Sequence, residues 1–204
     1  GAGLVASLAR PGGNVTGLTI LSDELAGKRL ELLRDAIPKI SRVGVLFNPA
    51  NPVVQQDFLR LQAAGRALGI TIHPAEVRKP EEISTAFSLI TRARDQGLII
   101  VTDPLTWTHR KPILDLVERS RLPTIFYNRE WVQLGGLMSY GPNSLDLFRR
   151  AATYVDKLLK GVKPSELPVE QPTRFALTLN ATTAKALGII FPESIMVRAD
   201  EVMR

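Results

Sequence analysis

The sequence of 204 residues contains no cysteine and only two histidines, His73 and His109. The absence of thiols excludes disulfides, cysteine-ligated zinc, iron–sulfur clusters and a cysteine nucleophile. Two histidines leave little room for a histidine-rich metal site, so we expect neither a metal nor a cofactor. No apolar run reaches the roughly 18 residues that a membrane-spanning helix requires.

The charge of the chain shows no concentration of one sign. There are 26 basic and 20 acidic residues, for a net charge of +6. The basic pairs Arg110-Lys111 and Arg149-Arg150 stand alone, whereas nucleic-acid-binding proteins usually gather basic side chains on one face. We therefore expect a solvated basic surface and no nucleic-acid partner.

Catalytic signatures are also missing. The sequence has no nucleophile elbow, no phosphate-binding loop, no dinucleotide fingerprint and no zinc-protease motif. His73 lies within an apolar, strand-like run, which favours a structural role. Glu81 and Glu82 open a predicted helix, where carboxylates stabilise the helix dipole. The sequence therefore predicts a protein that is not an enzyme.

The middle of the chain alternates between strand and helix patterns. Short apolar runs typical of buried strands are VGVLF, ITIHPAEV, LIIVT, PTIFY and GLMSY. Apolar residues at helical spacing predict helices over 52–68, 80–95 and 108–121, with Gly69 ending the first of them. Strands separated by helices form βαβ units, so the sequence predicts an α/β fold with a doubly wound parallel sheet.

The two ends of the chain follow other patterns. Residues 12–20 predict a turn and one strand, and residues 23–36 predict a helix that ends before Pro38. Residues 144–160 predict a long amphipathic helix. Its apolar side is formed by Leu147, Ala151, Tyr154 and Leu158.

Polar residues follow several of the predicted strands. In parallel sheets, ligands bind beyond the carboxyl ends of the strands. The candidate ligand-binding residues at these positions are Asn48, Asn51, Asp103, Asn128, Glu130 and Tyr140. Helix capping is the alternative role, and Asn51 before Pro52 is a good candidate for it. Asp103 stands out because no helical pattern directly follows the Asp103-Pro104 pair.

Three ordered segments resemble a known family: ASLARPGGNVTGLT, ELAGKRLELLRDAIPKISRVGVLFNPANP, and the run from GLMSYGPNS to TTAKALGI. The chain resembles ABC-transporter substrate-binding proteins whose members bind tryptophan or similar small molecules, and the resemblance covers essentially the whole chain. It implies a type I periplasmic-binding-protein-like fold, in which two α/β lobes joined by hinge crossovers hold a ligand in the cleft.

The resemblance also implies a division of the chain. Residues 1–40 and 142–172 would be remnants of the first lobe and hinge, and residues 41–141 and 173–204 would form the second lobe. Most of the first lobe would then be missing, so the apolar side of helix 144–160 would lack a partner and favour self-association. The six candidate residues match the family's second-lobe cleft positions.

The function implied is that of the solute-binding component of an ABC importer. Such a protein binds a small organic molecule, such as an amino acid or an aromatic compound, by hinge closure, and it delivers the ligand to a membrane permease. The resemblance places it in the periplasm or another extracytoplasmic space. The alternatives are a ligand-sensing domain of a transcriptional regulator and, third, an enzyme on the same scaffold.

Overall fold

A computed structural model describes residues 3–19 and 25–204, and the chain divides into two units. The larger unit comprises Asp23–Gly141 and Ala176–Arg204, and the smaller comprises Gly1–Ser22 and Pro142–Phe175. Within the described ranges, no helix combines the length and apolar character needed to cross a bilayer.

The larger unit is built on one sheet with helices between successive strands. The described strands lie in the order β2-β1-β3-β4-β5-β6-β7. They are β1 (Arg42–Phe47), β2 (Thr71–Glu76), β3 (Gly97–Ile100), β4 (Thr124–Phe126), β5 (Met138–Pro142), β6 (Phe175–Asn180) and β7 (Glu201–Met203). Its helices are α1 (Leu25–Ala36), α2 (Pro52–Leu68), α3 (Ile83–Arg92), α4 (Pro104–Thr108), α5 (Arg110–Ser120), α6 (Arg129–Gln133), α8 (Ala181–Leu187) and α9 (Glu193–Met196).

Strand direction decides which ends of the strands meet. β1 pairs in parallel with both β2 and β3, and the β3–β4 and β4–β5 pairs are parallel too. The Asn180 N–H, at the end of β6, donates to the Leu137 carbonyl just before β5 (2.9 Å). β6 therefore runs against β5, and β7 follows β6 in parallel. The predicted α/β sheet is confirmed, and β1 to β5 end at one common edge.

Both faces of this sheet are covered by apolar side chains. Val43, Val45 and Phe47 of β1 join a cluster with α1 and α2, whereas Leu46 joins the opposite cluster with α3 and α5. Phe47 stacks on Phe58 of α2 with ring centres 4.2 Å apart. Burial on both faces explains why the strand is a continuous apolar run and does not alternate with polar residues.

The ends of α2 follow from two residues of the sequence. The Asn51 side-chain oxygen accepts a hydrogen bond from the Val53 N–H (3.1 Å). Gly69 adopts a left-handed conformation with φ of 68°, which glycine reaches without a Cβ clash. The prediction that Gly69 ends this helix is confirmed, and Asn51 is its N-cap.

The boundary between the units differs from the expected one near residue 40. Helix α1 packs on α2, β3 and β4 and buries Leu30 and Leu33 completely. It therefore belongs to the larger unit, because its apolar face completes that unit's core. Residues 23 and 24 of the predicted helix lie outside the described residues.

The smaller unit is organised around helix α7 (Ser144–Leu159). Asn143 caps this helix by accepting from the Leu145 N–H, and the Tyr154 hydroxyl donates to the Pro168 carbonyl at 2.6 Å. The strand predicted over residues 12–20 is not formed in the described part, where Leu18 makes a single bridge to Glu170. Residue 20 lies outside the description.

The exposed apolar stripe of α7 is not the one that the sequence suggested. Tyr154 is buried, and its neighbours Leu147, Ala151 and Leu158 are half-buried along a groove with residues 16–18. Exposed apolar side chains instead follow each other at intervals of three and four residues. This outer stripe consists of Leu145, Phe148, Ala152, Val155 and Leu159.

We expect the outer stripe to make the chain self-associate. Phe148 is 74 % exposed and Leu159 is 84 % exposed, and continuous apolar surface of this kind is rare on monomers. Sedimentation velocity over a concentration series should show association, and Phe148→Glu should reduce it. Thr153→Glu adds the same charge elsewhere on α7 and is the matched control. Concentration-independent monomer behaviour of the parent chain would contradict the prediction.

Candidate functional site

The loops after β1, β3 and β4, together with the end of β5, meet at the common carboxyl edge of the larger unit. Because the four strands are parallel neighbours, the residues that follow them are brought to one place. The six predicted residues are placed as follows. Asn48 and Asn51 follow β1, Asp103 follows β3, Asn128 and Glu130 follow β4, and Tyr140 lies within β5.

Asp103 is a helix cap, which is the alternative role that the sequence left open, although no helical pattern directly follows it in the sequence. Its Oδ1 accepts from the Thr106 N–H (3.0 Å), and the Thr106 hydroxyl accepts from the Asp103 N–H (2.9 Å). This capping box starts α4 at Pro104. The helix has five residues, which is too short to show helical periodicity in the sequence.

Asp103 also holds the neighbouring loop. Its Oδ2 accepts from the Asn48 side-chain NH₂ (2.8 Å), and Asn48 Oδ1 accepts from the Ala50 N–H (3.0 Å). Asp103 is only 6 % exposed. Both carboxylate oxygens are thus engaged, and the pair joins the loops after β1 and β3.

The loop after β4 differs, because its polar atoms are buried without partners. Asn128 occupies the N-cap position of α6 but makes no capping hydrogen bond. Among the described residues, no group hydrogen-bonds to Asn128 Oδ1, Glu130 Oε2 or the Thr102 hydroxyl. Continuing the β3–β4 register places Thr102 beside Asn128. Buried polar atoms are nearly always paired in folded proteins, so these three unpartnered atoms make this edge a candidate ligand-binding position.

The positive charge of this loop is already engaged. Arg129 donates from Nε and Nη2 to the two carboxylate oxygens of Glu201, each at 2.7 Å. The hydrogen bonds that Arg129 donates to Glu201 raise the pKa of Arg129. Since this guanidinium is bound to β7, Glu130 contributes the acidic group of the loop that a ligand could use.

Trp131 is the buried aromatic residue next to the loop after β4. It is fully buried, stacks on Phe126 with ring centres 4.8 Å apart, and meets Trp107 edge-on at 6.2 Å. Its indole N–H has no hydrogen-bond partner among the described groups. Trp131 is therefore a core aromatic residue.

Sequence reasoning missed an arginine at the same edge. Arg29 of α1 is 4 % exposed, and its Nε donates to the Tyr140 carbonyl (2.8 Å). Its guanidinium carbon lies 4.6 Å from the centre of the Tyr127 ring. The Tyr140 ring packs against the apolar cluster of α1 and α2. Nothing in a helix containing several basic residues distinguishes the buried one.

Chemically, the edge offers oxygen acceptors. The unpartnered oxygens of Asn128 and Glu130 suit a donor such as an ammonium group. Within residues 3–19 and 25–204, no group of three or more acidic or histidine side chains is arranged to hold a metal ion. His73 Nδ1 lies 2.6 Å from Asp95 Oδ1, so this histidine has a structural partner.

Residues 1–203 match the family described as ABC transporter substrate binding protein. The chain belongs to this family. The family consists of substrate-binding proteins and not of enzymes, as the absence of catalytic motifs predicted.

The chain is also similar to a curated protein of known ligand. It is 29 % identical over 191 residues to the tyrosine-binding protein of Clostridioides difficile strain R20291, covering 92 % of this chain and 54 % of that protein. The chain thus spans about half the length of this curated relative.

Two solved structures share the fold over nearly the whole of this chain. An ABC domain from Streptococcus pneumoniae in complex with L-Trp is 25 % identical, with a TM-score of 0.88 over 98 % of this chain and 68 % of that one. A conserved domain protein from Vibrio cholerae is 26 % identical, with a TM-score of 0.89 over 98 % of this chain and 66 % of that one.

Proposed function

We propose that the chain binds a small organic molecule that carries an ammonium group and an apolar part, of which an aromatic amino acid is the leading example. The ligand would lie at the carboxyl edge of the larger unit and be enclosed by hinge closure against a second lobe. The observation that carries this proposal is the pair of buried, unpartnered oxygens, Asn128 Oδ1 and Glu130 Oε2.

The physical reason is the cost of leaving such atoms unpaired. A buried polar group without a hydrogen bond costs about 1–3 kcal/mol, and a charged group costs more. An ammonium group has three N–H donors and a positive charge, so it suits an amide oxygen and a carboxylate oxygen as partners. Asp103 and Asn48 bond to each other and would shape the floor of the site without contacting the charge.

Two relatives and the Tyr140 side chain at this edge support an aromatic group as the apolar part of the ligand. One relative is a tyrosine-binding protein, and one solved structure holds L-Trp. In this chain the partly exposed Tyr140 ring stands at the same edge. A tyrosine ring offers area for contact with an aromatic side chain.

The proposal includes the setting that family membership suggests. The closed, ligand-bound form would be recognised by the membrane permease of an ABC importer, outside the cytoplasm. No covalent step or cofactor enters this mechanism, because affinity for the ligand and a change of shape are sufficient.

Titration calorimetry of the chain with L-tryptophan and L-tyrosine tests the proposal. Indole-3-propionate keeps the aromatic ring and carboxylate of tryptophan but lacks the ammonium group, so we expect it to bind at least about tenfold more weakly. Glu130→Gln should weaken L-tryptophan binding by roughly 10–100-fold and remove most of this discrimination.

The matched control is Glu118→Gln, which neutralises an exposed glutamate on α5. It should leave both affinities unchanged. If neither amino acid binds at millimolar concentration, or if indole-3-propionate binds as tightly as L-tryptophan, the proposed ammonium site is wrong.

A further inference from the structure

The arginine missed by sequence reasoning joins three separate parts of the larger unit. Arg29 stands in the second turn of α1, bonds to the carbonyl of Tyr140 in β5, and stacks on the ring of Tyr127 directly after β4. Tyr127 is followed at once by Asn128, and Tyr140 lies one residue before the end of this part of the unit at Gly141. One side chain thus contacts both segments that border the proposed ligand position.

Stability alone is a poor explanation for this arginine. Burial lowers the pKa of Arg29 to about 10, so the guanidinium stays charged at neutral pH while surrounded by protein. Its Nη2 has no hydrogen-bond partner among the described groups. Buried ionic groups that are replaced as a set by apolar side chains of similar volume often leave the stability unchanged or raise it, so burial of this charge is weak evidence for a purely stabilising role.

The backbone near Arg29 is packed without spare room. A Cβ atom added to Gly141 would lie 1.9 Å from the Tyr127 carbonyl oxygen, so only glycine allows the two chain segments to approach this closely. The chain passes from the larger to the smaller unit directly after Gly141. The contact between Tyr127 and Gly141 therefore ties the loop after β4 to the segment where the chain leaves the unit.

We propose that Arg29 is a positioning residue for ligand binding. It fixes the Tyr140 carbonyl and the Tyr127 ring relative to each other, and thereby holds Asn128 and Glu130 where they can receive the ammonium group. The planar guanidinium stacks on the ring while its edge donates to the carbonyl, a combination that the ammonium of lysine does not reproduce. This inference rests on the proposed function.

Arg29→Met and Arg29→Lys test the role by calorimetry and thermal unfolding of the full 204-residue chain. We expect Arg29→Met to change the melting temperature by no more than a few degrees. Its affinity for L-tryptophan should fall at least tenfold, and its discrimination against indole-3-propionate should fall with it. Arg29→Lys should restore little of either.

Arg34→Gln is the control on the same helix, because Arg34 is partly exposed and pairs with Asp35. It should bind as the parent chain does. Gly141→Ala disturbs the contact between the Tyr127 and Gly141 backbones. It should also reduce the affinity for L-tryptophan and the discrimination against indole-3-propionate.

The outcomes separate the two proposals. If the parent chain binds indole-3-propionate as tightly as L-tryptophan, the proposed function is wrong, whatever the Arg29 variants do. If the parent chain discriminates and Arg29→Lys does so equally well, the positioning role is wrong while the proposed function stands. If Arg29→Met does not fold, Arg29→Lys and Gly141→Ala decide the question by the same two readouts.

Discussion

Asp103→Ala is expected to destabilise the larger unit by about 2–4 kcal/mol, which combines a lost N-cap with a lost hydrogen bond to a charged group. The capping box with Thr106 disappears, and the Asn48 amide loses its acceptor at a nearly buried position. Thermal unfolding should show a fall in melting temperature of roughly 4–16 °C for a chain of this size.

Asp103→Asn is the matched control for this prediction. Asparagine is as good an N-cap as aspartate, so the start of α4 should survive. Its NH₂ group cannot accept from the Asn48 amide, so we expect Asp103→Asn to lose only the part of the stability that this second bond supplies. If Asp103 served only to contact a ligand, Asp103→Ala would weaken ligand binding and barely change the melting temperature. A nearly unchanged melting temperature of Asp103→Ala would show that the capping box contributes little to stability.

Trp131→Ala is expected to cost about 3–5 kcal/mol, or roughly 6–20 °C in melting temperature. The side chain is fully buried between Phe126 and Trp107, so truncation leaves a large cavity under the loop that carries Asn128 and Glu130. Ligand affinity should fall as well, because the loop loses its support. Chemical denaturation and calorimetry measure the two effects.

Trp131→Phe separates the ring from its N–H group. Phenylalanine can keep the stacking on Phe126, and the indole N–H has no partner to lose among the described residues. We therefore expect this variant to retain more than half of the stability that Trp131→Ala loses. Equal losses in both variants would contradict the prediction that stacking on Phe126 supplies most of this stability.

Much of the architecture could be predicted because it depends on local patterns. The apolar runs at β1, β3 and β4 are buried on both faces, and the helical spacing across residues 52–68 matches the bounds of α2. Alternation of these two patterns leaves few arrangements besides a parallel sheet. The polar residues after the strands could then be placed at one edge from strand direction alone.

Short elements could not be predicted in this way. Helices α4 and α6 have five residues each, and β7 has three, so none completes enough turns or alternations to give a periodic signal. These short elements determine what the loop residues do, since Asp103 caps α4 whereas Asn128 leaves α6 uncapped. Two short polar side chains at N-cap positions after neighbouring strands therefore have different roles.

The amino-acid sequence by itself determined the α/β class and the family, and it brought the candidate polar residues to one edge of the sheet, because these follow from residue order and local periodicity. Only the tertiary structure decided which polar groups are already engaged. Asp103 and Asn48 pair with each other, and Arg129 pairs with Glu201, across 55 and 72 residues of sequence. Asn128 and Glu130 keep unpartnered oxygens. Hydrogen bonds between residues so far apart in sequence depend on which strands are neighbours in the sheet, and local sequence patterns do not predict them.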